Sequence, residues 1–123
     1  MFIALSPSHP DPMYQQVIDQ IKDAIASGDV KPNEKLPSVR ELSEALNVSA
    51  ITVKRAYQDL EAEGYILTRA GLGSFVAEVS RDVLRTRKLN ELRAEMTRIV
   101  RTGARFGITA EDIIRLARQA EER

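Results

Sequence analysis

Apolar residues return at helical spacing early in the chain, at Met13, Tyr14, Val17, Ile18, Ile21, Ala24 and Ile25. That period predicts an amphipathic helix with one buried face. Asp11 is placed to cap it, with Pro12 at the first helical position, where a missing N–H costs nothing. Gly28 stands where a left-handed C-terminal cap belongs, and Pro32 follows. A shorter helix is predicted from Ser38 to about Leu46, burying Val39, Leu42, Ala45 and Leu46. Its start is signalled by Ser38-Val39-Arg40-Glu41, an S-x-x-E capping box. Asn47-Val48-Ser49 is a tight break. Ser49 then caps a third helix, Ala50 to Glu63, and Gly64 ends it. Val53, Ala56, Tyr57 and Leu60 share one face of that helix. At about 100° per residue, Ile51, Arg55, Gln58 and Ala62 point the other way, flanked by Thr52 and Lys54.

The pattern then changes. Two short β-prone runs, Tyr65 to Arg69 and Ser74 to Ala77, are joined by Ala70-Gly71-Leu72-Gly73. Lys35-Leu36 is placed to add a short third strand. Helix, turn, helix and hairpin, in that order, define a winged helix-turn-helix, which usually lays its second helix in the major groove of DNA. The expected fold class is mainly α (α+β), a winged helix-turn-helix domain followed by a two-helix C-terminal dimerisation domain.

After Val79 the character shifts again. Ser80 is placed to cap a long helix running to about Thr102. Leu89, Leu92, Met96 and Ile99 recur at spacings of 3, 4 and 3 residues, a short heptad seam. Gly103 and Gly107 bracket a turn around Phe106. Thr109 caps a last helix, with Ile108 and Ile113 set as a hydrophobic staple. Ile113, Ile114, Leu116, Ala117 and Ala120 form its apolar stripe. So short a seam is not a stable isolated coiled coil, and a second copy of the chain is the economical partner. The predicted dimer interface is Leu89, Leu92, Met96, Ile99, Phe106, Ile113 and Ala117. The predicted organisation is an arm over residues 1–11, a DNA-binding domain over 12–79 and a helical dimerisation domain over 80–123.

At 43% hydrophobic and 29% charged, the 123-residue chain has the make-up of a soluble globular protein rather than a disordered one. It has no cysteine, hence neither disulfides nor thiolate metal sites. Its one histidine, His9, has no second ligand nearby, so no metal is expected. No cofactor is expected either. No signal peptide or membrane span is read, which points to the cytoplasm. Catalysis lacks a motif: there is no P-loop, and Gly71-Leu72-Gly73 leads into a strand rather than a helix. Net charge is zero but unevenly spread. Residues 1–79 carry 7 Lys plus Arg against 11 Asp plus Glu, a net of −4, and residues 80–123 a net of +4. Attraction to DNA must then act through local placement of Arg40, Lys54, Arg55 and Arg69.

Residues 12–78 resemble the GntR family of bacterial transcriptional regulators. The resemblance is carried by Pro12-Met13-Tyr14-Gln15-Gln16-Val17, by Lys35-Leu36-Pro37-Ser38-Val39-Arg40-Glu41-Leu42, by Val48 to Tyr57, and by Leu60-Glu61-Ala62-Glu63-Gly64-Tyr65-Ile66. The tail is similar to that of the small YtrA subfamily, whose members lack large effector domains. The resemblance implies a dimeric repressor, often of a transporter operon, acting on an inverted-repeat operator. It maps the family's DNA contacts onto Arg40, Thr52, Lys54 and Gly71. Where the family often carries arginine this chain has Ala50, and where it carries threonine or asparagine it has Ile51, so contact with a thymine methyl replaces a guanine reader there. The full set of expected DNA-contacting residues is Arg40, Ser49, Ala50, Ile51, Thr52, Lys54, Arg55, Gln58, Arg69 and Gly71. The alternative reading, supported by the acidic first 79 residues and by Ala50, is a winged-helix protein-interaction module without DNA reading, anchored by Ile51.

Overall fold

The computed structural model describes residues 1–123 throughout. The elements follow in the order α1 (Met13–Ser27), α2 (Val39–Leu46), α3 (Ala50–Ala62), β1 (Ile66–Arg69), β2 (Gly73–Val76), α4 (Arg81–Ala104) and α5 (Ala110–Glu121). The chain divides into two compact units, residues 1–81 and 82–123.

Local side-chain chemistry sets three of the helix starts. Ser38 Oγ accepts the Glu41 N–H at 3.0 Å and Glu41 accepts the Ser38 N–H at 3.1 Å, a complete capping box. Ser49 Oγ accepts the Thr52 N–H at 3.2 Å. Thr109 and Asp112 form a second box at 3.2 and 2.9 Å. The predicted Asp11 cap does not form. Pro12 is the N-cap of α1 without any side-chain cap bond, and its carbonyl accepts the N–H groups of Gln15 and Gln16, both at 3.1 Å. A proline with φ −59° and ψ 157° suits that place, because an N-cap residue needs extended ψ and no N–H of its own.

The first unit is built around α3. Val17, Ile18 and Ile21 of α1, Leu42 of α2 and Val53, Ala56, Tyr57 and Leu60 of α3 are buried together with Tyr65, Ile66 and Val76 of the hairpin region. Burial of this apolar surface is the main favourable term for the fold. The buried Tyr57 hydroxyl donates to the Pro37 carbonyl at 2.7 Å, so α3 also holds the connector before α2. Burial, then the nearby Glu41 charge, pushes this phenol well above its ordinary range, and it remains a donor at all working pH. Lys22, though charged, is only 6% exposed; it pairs with Glu63 at 2.9 Å and lies 4.9 Å from the Tyr65 ring centroid. Its charge is thus paired where α1 meets the end of α3. The second helix buries less than predicted. Leu42 is enclosed, Val39 and Leu46 are half-buried, and Ala45 is exposed. An eight-residue helix turns only a narrow side to its neighbours, and Ser43 occupies part of it, donating its hydroxyl to the Arg40 carbonyl at 3.0 Å.

The arm is not free. Gln20 brackets Ala4, accepting its N–H at 2.8 Å and donating to its carbonyl at 2.7 Å. The buried Gln16 does the same for Ser6 at 2.9 and 3.0 Å and also donates to the Asp11 carbonyl at 3.0 Å. Two side chains of α1 thereby supply the strand-like partners that the arm's backbone needs.

The hairpin is antiparallel, with Ile66 opposite Val76 and Arg69 opposite Gly73. The predicted third strand is reduced to one bridge, Lys35 to Phe75, reinforced by Leu36 N–H to Ser74 O at 2.9 Å. In the second unit, α4 runs on to Ala104, two residues past the predicted end, and Gly103 lies in its last turn. The Gly103 carbonyl accepts the N–H groups of Phe106 and Ile108 at 2.9 and 3.0 Å, and Gly107 takes φ +72° to reverse the chain. A Cβ at 103 would stand 3.3 Å from Ile108, a tight approach, and 3.5 Å from Ile113, an ordinary contact. Glycine there lets the start of α5 close onto α4.

Candidate nucleic-acid interface

The sequence of α3 divides it into two sides, and the structure keeps the division. Val53, Ala56, Tyr57 and Leu60 face the core, whereas Ala50, Ile51, Lys54, Arg55 and Gln58 lie exposed along the opposite side. Ile51 is 80% exposed and offers an apolar surface near the start of the helix. Ser49 and the half-buried Thr52 sit at the N-terminus, their hydroxyls 2.8 Å apart. The capping bond uses Ser49, and the positive end of the helix dipole points out beside it.

The cations around this side differ in how they are held. Arg40, on α2, donates from Nε to Glu44 at 3.2 Å, with both side chains mostly exposed. Such a pair contributes little in water and exchanges easily for a phosphate. Lys54 is exposed and has no ion-pair partner. Arg55 stacks on Tyr14 of α1, 3.7 Å from the ring centroid, and Arg69 of β1 lies 4.7 Å from the Phe75 ring centroid of β2. Neither stack was foreseen from the sequence, because each joins residues on different elements; only the aromatic residues before the helix and within the hairpin hinted at them. The wing tip is exposed: Gly71 has φ +75°, with open space where a side chain would stand, and Leu72 beside it is bare. A left-handed glycine and a missing Cβ let this loop approach a flat polymer closely.

Of the residues predicted for the second unit's interface, Leu89, Leu92, Met96 and Ile99 lie exposed along α4 and Phe106 is 77% exposed in the turn. Ala117 is exposed on α5, whereas Ile113 is enclosed within its own chain beside Gly103 and Ile108.

A two-sided helix after a tight turn, a capped start, a flanking cation on the preceding helix and a glycine-tipped hairpin define a winged helix-turn-helix DNA-binding domain. Comparison with known proteins agrees. Residues 13–76 match the family described as bacterial regulatory proteins, gntR family. The HTH-type transcriptional repressor YtrA of Bacillus subtilis (strain 168) is 32% identical over 111 residues, covering 90% of this chain and 85% of that protein. A GntR family transcriptional regulator from Listeria monocytogenes superposes with a TM-score of 0.72 at 28% identity, over 94% of this chain and 98% of that one. The AraR DNA-binding domain, solved in complex with operator ORX1, superposes with a TM-score of 0.54 at 32% identity, over 63% and 93%. The chain belongs to the GntR family of bacterial regulatory proteins, and YtrA is its homologue. The family is one of transcription regulators, not enzymes. No helix of the chain is long and apolar enough to cross a membrane.

Proposed function

We propose that this protein is a homodimeric transcriptional repressor that binds an inverted-repeat operator, in the cytoplasm, and controls a transporter operon. The observation that carries the proposal is the exposed side of α3, where Ala50, Ile51, Lys54, Arg55 and Gln58 stand together behind the Ser49 cap. In this reading residues 12–79 form the reading domain, residues 1–11 its arm and residues 80–123 the dimerisation domain. The first two turns of α3 enter the major groove. Ala50 and Ile51 meet thymine methyl groups, and Gln58 lies further along the same side. Arg40, Ser49, Thr52, Lys54, Arg55 and Arg69 contact phosphates, and Gly71 brings the wing onto the backbone. Repressor action is supported by the YtrA homologue, and operator binding by the AraR complex.

The dimer is supported by the exposed apolar residues of the second unit, Leu89, Leu92, Met96, Ile99 and Phe106, with Ala117 on α5. Leu89, Leu92, Met96 and Ile99 keep the 3, 4, 3 spacing by which one helix packs against a partner helix. Two heads joined by such a seam read half-sites about 34 Å apart, one duplex turn.

Selection of random duplex DNA on the purified protein, with sizing of the complex by light scattering, tests the proposal. An enriched inverted repeat bound by two chains is the expected result. A folded protein that enriches no duplex at low salt would replace it with a protein-docking module anchored on Ile51.

A further inference from the structure

Arg55 is the one exposed cation of α3 whose posture is fixed by another helix. Its guanidinium lies 3.7 Å from the ring centroid of Tyr14 near the start of α1. Tyr14 is half-buried and its neighbours Val17 and Ile18 are core residues, so the platform is itself anchored. Asp59 stands four residues after Arg55, the spacing at which helical ion pairs form, yet the guanidinium lies on the ring and makes no ion pair. The difference matters chemically. A carboxylate would neutralise the charge and occupy the in-plane N–H donors. An aromatic face takes only one flat side of the guanidinium and leaves the charge and the coplanar donor edge free. It also removes rotamers that a free arginine would lose on binding. A full charge, an open donor edge and a restricted posture are what bidentate capture of a phosphate requires.

We infer that Tyr14 is a positioning residue for DNA recognition, holding Arg55 over its ring so that the guanidinium edge meets a backbone phosphate of the bound duplex. This rests on the DNA-reading function proposed above. It sets Arg55 apart from Arg40, whose edge is engaged by Glu44 at 3.2 Å, and from Lys54, which has no such support.

The test is fluorescence anisotropy of a labelled duplex recovered by the selection, titrated at several KCl concentrations. R55A and Y14L should each weaken binding roughly five- to tenfold and flatten the slope of log affinity against log salt by about 0.9 per reading head. The double variant should be no weaker than R55A alone. Y14F keeps the ring and should match the wild type, and R55K should keep the slope but lose affinity. An unchanged slope in R55A, or losses that multiply in the double variant, would overturn the inference. A readout that does not depend on Y14L folding is the upfield ring-current shift of the Arg55 side-chain protons in the free wild-type protein; its absence would also overturn it. If the wild type binds the duplex and these variants behave like it, only the role of Tyr14 fails. If the wild type binds no duplex at any salt, the DNA reading fails and this inference with it.

Discussion

Lys54 and Arg55 are neighbours on the same helix and are held differently. Lys54 is a solvated point charge without a partner, and Arg55 is a planar group pinned to Tyr14. Replacing Lys54 with alanine should weaken binding to all duplexes alike and reduce the salt slope by about 0.9 per head, with no change in preferred sequence. A parallel affinity measurement on selected and scrambled duplexes checks this; a changed preference would move Lys54 from the phosphates to the bases. Tyr57 is a different kind of residue. Its buried hydroxyl meets only the Pro37 carbonyl, at 2.7 Å. Tyr57→Phe leaves that carbonyl without its donor and should destabilise the fold by about 1 kcal/mol in urea unfolding, while a dimer's affinity for DNA changes little. Which residues face outward on α3 was legible from the sequence, because period alone decides it. What each outward residue leans on was not, because Tyr14 and Arg55 lie on separate helices and no local pattern pairs them.

Three helices, α2, α3 and α5, start where four-residue signals say they should, which is why Ser38, Ser49 and Thr109 were readable as caps and the docking of the arm was not. Capping is decided between a side chain and a backbone group three residues away. The arm is decided by Gln16 and Gln20, polar residues that a count of apolar positions passes over, even though Gln16 is nearly fully buried. The misplaced Asp11 cap and the exposed Ala45 have the same origin: proximity in sequence stood in for geometry that only the packed unit supplies. The Ser38–Glu41 box also makes stability depend on pH. The Ser38 backbone N–H, then its side chain, holds the Glu41 carboxyl below its ordinary value of 4.5. A carboxylate with a lowered folded-state pKa contributes stability that is present above its unfolded value and is lost as pH falls through the folded one. Glu41→Gln should therefore melt below the wild type at pH 7, and the gap in Tm should narrow as pH drops through and below 4.5. A gap that stays constant down to pH ~2.5, well under the ordinary glutamate range, would show that the charge of Glu41 is not what the cap uses.

At the scale of the molecule, two compact units share one chain, and the proposed function gives them different tasks. Met96 lies exposed among Leu89, Leu92 and Ile99 on α4. On the proposed dimer, Met96→Asp places a charge in the seam and should yield a monomer by sedimentation, with the first unit still folded and operator affinity reduced by at least about a hundredfold through loss of the second head. A variant that remains dimeric would put the interface elsewhere. The charge of the chain is divided as well: residues 1–79 carry a net −4 and residues 80–123 a net +4. Beyond a screening distance of about 8 Å at physiological salt, the reading portion offers a duplex no net attraction, and only the few cations beside α3 act at contact. On the proposed reading, such a head feels a duplex only once α3 is within a screening length of it. The rate of its encounter with DNA then depends weakly on salt, while its hold on the bound duplex depends steeply on it.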